Sequence, residues 1–192
     1  MNFEFYLIGI TFVLAILHMI APDHWIPISI LSAKRKYNNA KSSGYGFFIG
    51  IAHGILSAIL ALAVAFLGLK LVGYGEVKLA SIILLIAVCV YIFINAFKEK
   101  ENKSSIENTS LLVSFIPDPA FLPIVLAATV YGNLFLGVLS IIFIIAGGVS
   151  LMLVVMLARM GFLKSMERVE PVMIDYIVIL VLLATALFIF LT

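Results

Sequence analysis

The chain has only three histidines, His18, His24 and His53, and each stands inside a long apolar stretch of the sequence. Ionisable groups at membrane depth are costly and face a bundle interior or a cavity, so each is a functional candidate. Asp23 sits between Pro22 and His24 in the same setting, while most other charges cluster in short polar stretches. Imidazole and carboxylate without thiolate suit nickel, cobalt, zinc, copper(II) or iron, and argue against copper(I). The structural alternative is that these histidines bond one another or a backbone carbonyl.

Spacing on an unbroken helix does not bring these groups together, because neighbours on one face recur at three and four residues. Two prolines alter that. Pro22 removes the helical bond to the carbonyl of His18, and Pro27 removes the bond to the carbonyl of Asp23. The sequence therefore predicts a kinked or unwound segment over 18–27, with His18, Asp23 and His24 converging. His53 follows Gly46 and Gly50 and precedes Gly54 and Ala58, a small-residue face at four-residue spacing that permits close helix contact. The expectation is that the second span packs on the first, with His53 facing the proline break.

The elements that must position these residues are membrane helices. Of 192 residues, 64% are hydrophobic and 11% charged, and mean hydropathy is +1.24. An ordinary soluble domain carries about a quarter charged residues. Apolar runs long enough to cross a bilayer fall at 3–31, 44–69, 77–97, 110–131, 135–160 and 171–191. The fold expected is all-α integral membrane with about six transmembrane helices, in one domain over 1–192. Lys34, Arg35, Lys36, Lys41, Lys98, Lys100, Lys103, Arg159, Lys164 and Arg168 make ten of the twelve basic residues, and six spans put all ten on one side. The positive-inside rule makes that side cytoplasmic and both termini extracytoplasmic, in a multi-pass cell-membrane protein. The N-terminal run lacks a basic leader region and is expected to be a retained span.

The stretch from Pro22 to Ile28 resembles that from Pro117 to Ile124: each puts Pro-Asp inside an apolar run with another proline nearby. Three spans per repeat would give a 3+3 inverted repeat with proline-broken helices 1 and 4, an architecture recurrent in transporters. The halves would be 1–97 and 110–192, joined by a charged cytoplasmic loop at 98–109. Pro22, Pro27 and Pro117 are the expected helix breaks. Asp118 then either completes an ion path or a proton relay, or caps a helix restarting after Pro117, and Ser57 and Asn95 supply oxygen ligands or interhelical hydrogen bonds. The single cysteine, Cys89, excludes a disulfide within the chain and any multi-cysteine metal site. Met152, Met156 and Met160 form a stripe better explained by packing or lipid contact than by soft-metal binding.

His18-Met19-Ile20-Ala21-Pro22-Asp23-His24 resembles the His-Ala-x-Asp-Ala-Asp-His signature of the nickel/cobalt transporter family. It is closer to the His-x-x-x-Pro-Asp-His form of the related urease-accessory-type and nickel/cobalt efflux-type membrane proteins, which share a lysine-exporter-like six-helix scaffold. Phe47-Phe48 ahead of His53 resembles that family's second motif, with Ala52 in place of its glycine and Ala21 in place of the first aspartate of the signature. The resemblance is sharp over 15–57 and architectural beyond. It implies His18, Asp23, His24 and His53 as metal-contacting residues.

The leading functional expectation is a secondary permease or exporter of a divalent transition metal, nickel or cobalt first, with zinc, iron or copper(II) as further candidates. The metal is expected as substrate, and no enzymatic activity is expected on this reading. No nucleotide-binding loop occurs, so transport would be driven by a gradient or a partner. The expected partners are the lipid bilayer and the ion, with room for a homodimer and none for nucleic acid. The alternatives are an intramembrane His/Asp enzyme, acyltransferase-like through His18 and Asp23 or a metallohydrolase, and an exporter of a small organic solute.

Overall fold

A computed structural model describes residues 3–71, 74–101, 118, 120–161 and 171–191. Among them the chain is helical throughout, without strands. Its helices are α1 (Phe3–Ile20), α2 (Pro22–Lys34), α3 (Asn39–Leu71), α4 (Tyr74–Glu101), α5 (Phe121–Ala128), α6 (Asn133–Arg159) and α7 (Pro171–Leu191). A short 3-10 turn, Thr129–Tyr131, extends α5. Three helical stretches, Phe3–Ile20, Asn39–Gly68 and Asn133–Arg159, are long and apolar enough to cross a membrane. Shorter apolar stretches lie at Leu79–Ile94, Phe121–Tyr131 and Tyr176–Leu191. Large apolar side chains face outward along the bundle, among them Phe5, Phe48, Ile59, Leu67, Ile83, Ile141, Leu180 and Phe190. That exterior suits lipid and not water, as a membrane protein requires.

The helices form a ring in the order α3, α6, α1, α7, α4, closed by a few contacts between α4 and α3, and α5 packs against the ring from within. In α5, Phe121, Pro123, Ile124, Val125, Leu126, Ala127 and Ala128 are all buried. A helix of eight residues is too short to span a bilayer, and its unpaired end groups are tolerated at that depth only within protein or a wet cavity. Phe121 stacks on Phe143 of α6 with ring centroids 4.1 Å apart, fixing the centre of the bundle. Tyr6 of α1 meets Thr185 of α7, its hydroxyl 3.2 Å from the threonine oxygen.

The first span is broken where Pro22 predicts. α1 ends at Ile20, Ala21 takes an extended conformation (ψ 134°), and α2 restarts with Pro22 in its first turn. Proline suits that position because its missing N–H would be unpaired there in any case. The carbonyl of His18 accepts from Ala21 N at 3.2 Å, and that of Ile20 accepts from the Trp25 indole N–H at 3.0 Å. Trp25→Phe removes that donor and should lower the thermal midpoint, corresponding to a loss of about 1 kcal/mol, as measured by unfolding in detergent. Pro27, by contrast, is no break: it lies inside α2. It forfeits one bond, to the carbonyl of Asp23, and the helix continues because the change of direction has already been made at Ala21.

The small-residue face of α3 packs, but against α6 and not against the first span. A Cβ on Gly50 would lie 2.8 Å from the Cα of Gly148, one on Gly54 2.9 Å from the Cα of Ile144, and one on Gly46 3.0 Å from the carbonyl oxygen of Leu151. Gly147 and Gly148 answer from α6 with a double gap in mid-helix. Met19 of α1 packs near Gly147 on the same helix. α6 is thus the platform on which both the end of α1 and the middle of α3 are seated. At the far end of α6, Arg159 donates to the carbonyl of Tyr37 at 3.0 Å, tying it to the connection between α2 and α3.

The fourth expected span is described only from Phe121 onward, apart from Asp118 and Ala120. Pro117 and most of the 98–109 connection lie outside the described residues, although α4 carries helix on to Glu101.

Candidate metal centre

The end of α1, the start of α2 and the middle of α3 meet at the three histidines. His53 lies about 21 Å along a helix about 50 Å long, at the helical rise of 1.5 Å per residue. Ring centroids are 4.5 Å apart for His18 and His24, 5.2 Å for His18 and His53, and 5.2 Å for His24 and His53. One ligand nitrogen from each lies within 4.8 Å of the other two. His53 is 0% and His24 3% exposed, whereas His18 keeps 23% of its side-chain surface accessible and forms the open side of the cluster. A four-coordinate ion with metal–nitrogen bonds of about 2.0–2.1 Å separates its nitrogens by about 3.4 Å. The triangle therefore has to contract modestly, which three side chains on separate helical segments can do by rotating about their side-chain torsions.

Asp118 adds a carboxylate. It precedes α5, is 3% exposed, and places Oδ2 3.8 Å from Nδ1 of His18. Its Oδ1 accepts from Ala120 N at 2.8 Å, closing an Asx turn ahead of the helix. Its backbone N–H donates to the Ser57 hydroxyl at 2.8 Å, and that hydroxyl donates to the carbonyl of His53 at 2.9 Å. One carboxylate oxygen of Asp118 thus holds the turn just ahead of α5, and the other lies on the side of His18. Ser57 acts as an interhelical connector, with both of its bonds made to backbone.

Of the sequence-predicted set, His18, His24 and His53 come together. Asp23 lies on α2, but its side chain falls outside the described residues, as does that of Asn95 on α4. Phe47 and Phe48 point outward, with 40% and 67% of their surface exposed, so this pair faces the exterior and not the site. Of the methionine stripe, Met156 and Met160 are exposed and Met152 is half-buried, which fits a lipid-facing or interfacial position. Sequence reasoning missed the Gly147–Gly148 pair, whose signal was two adjacent glycines inside an otherwise uninterrupted apolar run.

No protein-family model, curated protein or solved structure matches this chain.

Proposed function

We propose that the chain is a secondary transporter of a divalent transition-metal ion, nickel or cobalt first, across a cell membrane. The observation that carries this reading is the convergence of every histidine in the sequence, from three helical segments, into one cluster with His24 and His53 buried and His18 half-buried. Neutral imidazoles are good ligands for these ions, and clustering three of them in an apolar bundle is hard to explain by packing alone. The likeness of residues 18–24 to the nickel/cobalt transporter signature supports the same reading, as does the helix break at Ala21 beside the histidines.

Six spans accommodate all the helices, with α1 and α2 together as a broken first span and α5 as the described part of the fourth. The distribution of basic residues then supports cytoplasmic placement of the α2–α3 connection and extracytoplasmic termini. Asp118, in the second Pro-Asp stretch, lies 3.8 Å from His18, four residues ahead of the first stretch, a proximity compatible with an inverted repeat whose site lies between its halves.

Ligands must be deprotonated to bind, so protons compete with the ion. Proteoliposomes should accumulate cobalt or nickel when the protein is present, at a rate that changes with an imposed pH gradient. Flux indifferent to the gradient would eliminate proton coupling, and absence of flux with every metal tried would eliminate transport. Three imidazoles also suit a hydrolytic zinc centre with an open position. Ester or amide turnover in protein that moves no metal would favour that second reading.

A further inference from the structure

Three neutral imidazoles around a divalent ion leave two positive charges uncompensated in an apolar interior, where an unbalanced charge is expensive. A built site of this kind therefore calls for a carboxylate close by. Among residues with described side chains, Asp118 is the only acidic group that is buried. It is not one of the three clustered donors, and it stands behind His18 instead.

The placement of Asp118 is tightly determined. Oδ1 is engaged by Ala120 N, and the backbone N–H is engaged by Ser57, which in turn bonds the carbonyl of His53. The carboxylate is thereby tied to α3 one turn from a clustered histidine and to the start of α5. The remaining oxygen, Oδ2, is buried without a hydrogen-bond donor and lies 3.8 Å from Nδ1 of His18. That separation exceeds a hydrogen bond, and a closure of about 1 Å makes one.

We propose that Asp118 is a positioning residue of the metal site, holding His18 through Nδ1–H so that Nε2 is the atom presented to the ion, and placing a negative charge just outside the ligand shell. This rests on the metal-transport reading and adds to it a residue more than sixty positions from any of the three histidines. A carboxylate on the far nitrogen of a ligating histidine fixes its tautomer and raises its basicity, and loss of such a partner costs 10–100-fold in metal affinity.

The test has two arms on detergent-purified full-length protein. In the first, nitrogen NMR of histidine-labelled, metal-free wild type, at a pH where the rings are neutral, should find His18 as the Nδ1–H tautomer. A dominant Nε2–H form overturns the proposal, and this arm needs no variant to fold. In the second, cobalt(II) titrations are followed by visible absorption. Asp118→Asn should bind about 10–100-fold more weakly with the band shape unchanged, while Asp118→Glu recovers part of the loss. Unchanged affinity in Asp118→Asn overturns the proposal. A changed band pattern at saturation also overturns it, because Asp118 would then be a direct ligand. Failure of wild type to bind cobalt, nickel or zinc at all is a failure of the underlying reading and is visible without any variant.

Discussion

His53→Ala should abolish stoichiometric binding of nickel, cobalt or zinc, weakening it by more than the hundredfold that loss of an outer partner can cost. His53 is fully buried and comes from a different helix than His18 and His24. Removing it leaves two donors on the two sides of the Ala21 break, without the third that closes the cluster. The variant should still fold. The hydrogen bond that links α3 to Asp118 runs through the backbone carbonyl of His53, not its ring, and alanine favours helix. His18→Ala should have a similar effect from the open side. Equilibrium dialysis with metal analysis, beside thermal unfolding of the metal-free forms, checks both. Metal bound by wild type and lost by both variants, at unchanged unfolding temperature, is the result expected of one shared site. Wild type without metal, alongside normally folded variants, sinks the transporter reading and turns attention to organic solutes or intramembrane enzymology.

The second large effect is expected at Gly50, which touches no ion. A methyl group there would sit 2.8 Å from the Cα of Gly148 and 3.0 Å from the carbonyl oxygen of Gly147. Both are backbone atoms in mid-helix and cannot rotate away as a side chain would. Gly50→Ala must therefore push α3 and α6 apart, at a cost of about 1–3 kcal/mol for overpacking. His53 lies three residues on, so the same displacement moves one corner of the cluster away from the other two. Both unfolding temperature and metal affinity should fall. Gly44→Ala is the control: it lies on the same helix with nothing within 4 Å of the added carbon. There the gain in helix propensity should leave stability unchanged or raise it by up to about 1 kcal/mol. If Gly50→Ala behaves like Gly44→Ala, the close approach of α3 to α6 is not what holds His53 in place.

Some of this was legible because it depends only on local order along the chain. Composition and the length of the apolar runs indicate a helical membrane protein, since an unpaired backbone in lipid leaves few alternatives to helix. Pro22 marks a break in the first span because a proline ring excludes the bond to the carbonyl four residues earlier and suits the first turn of a restarted helix. Buried histidines in apolar runs declare themselves by their cost. Pro27 was misleading for a related reason: the sequence shows that a bond is lost but not that the helix survives losing it.

The tertiary structure decided partners. The glycine stripe of α3 identified a face for close packing, yet periodicity names no neighbour; in the structure Gly50 meets the gap at Gly147 and Gly148 of α6, with Gly46 and Gly54 against Leu151 and Ile144 of the same helix. His53 reaches His18 and His24 as expected, with α2 packed on α3 and with α6 as the common support of α1 and α3. Asp118 shows the same division. Its position after Pro117 was visible, and a place on an ion path, in a proton relay or as a helix cap was open to it. That it faces His18 across a separation of a hundred residues follows from α5 lying inside the bundle, where a helix too short to span a bilayer finds protein partners for its end groups. The kinds of residue available for chemistry are thus written in the chain, because burial in an apolar run tolerates few polar groups without a purpose. Which of them meet depends on how helix surfaces fit one another, and that is a property of the pair, not of either sequence segment alone.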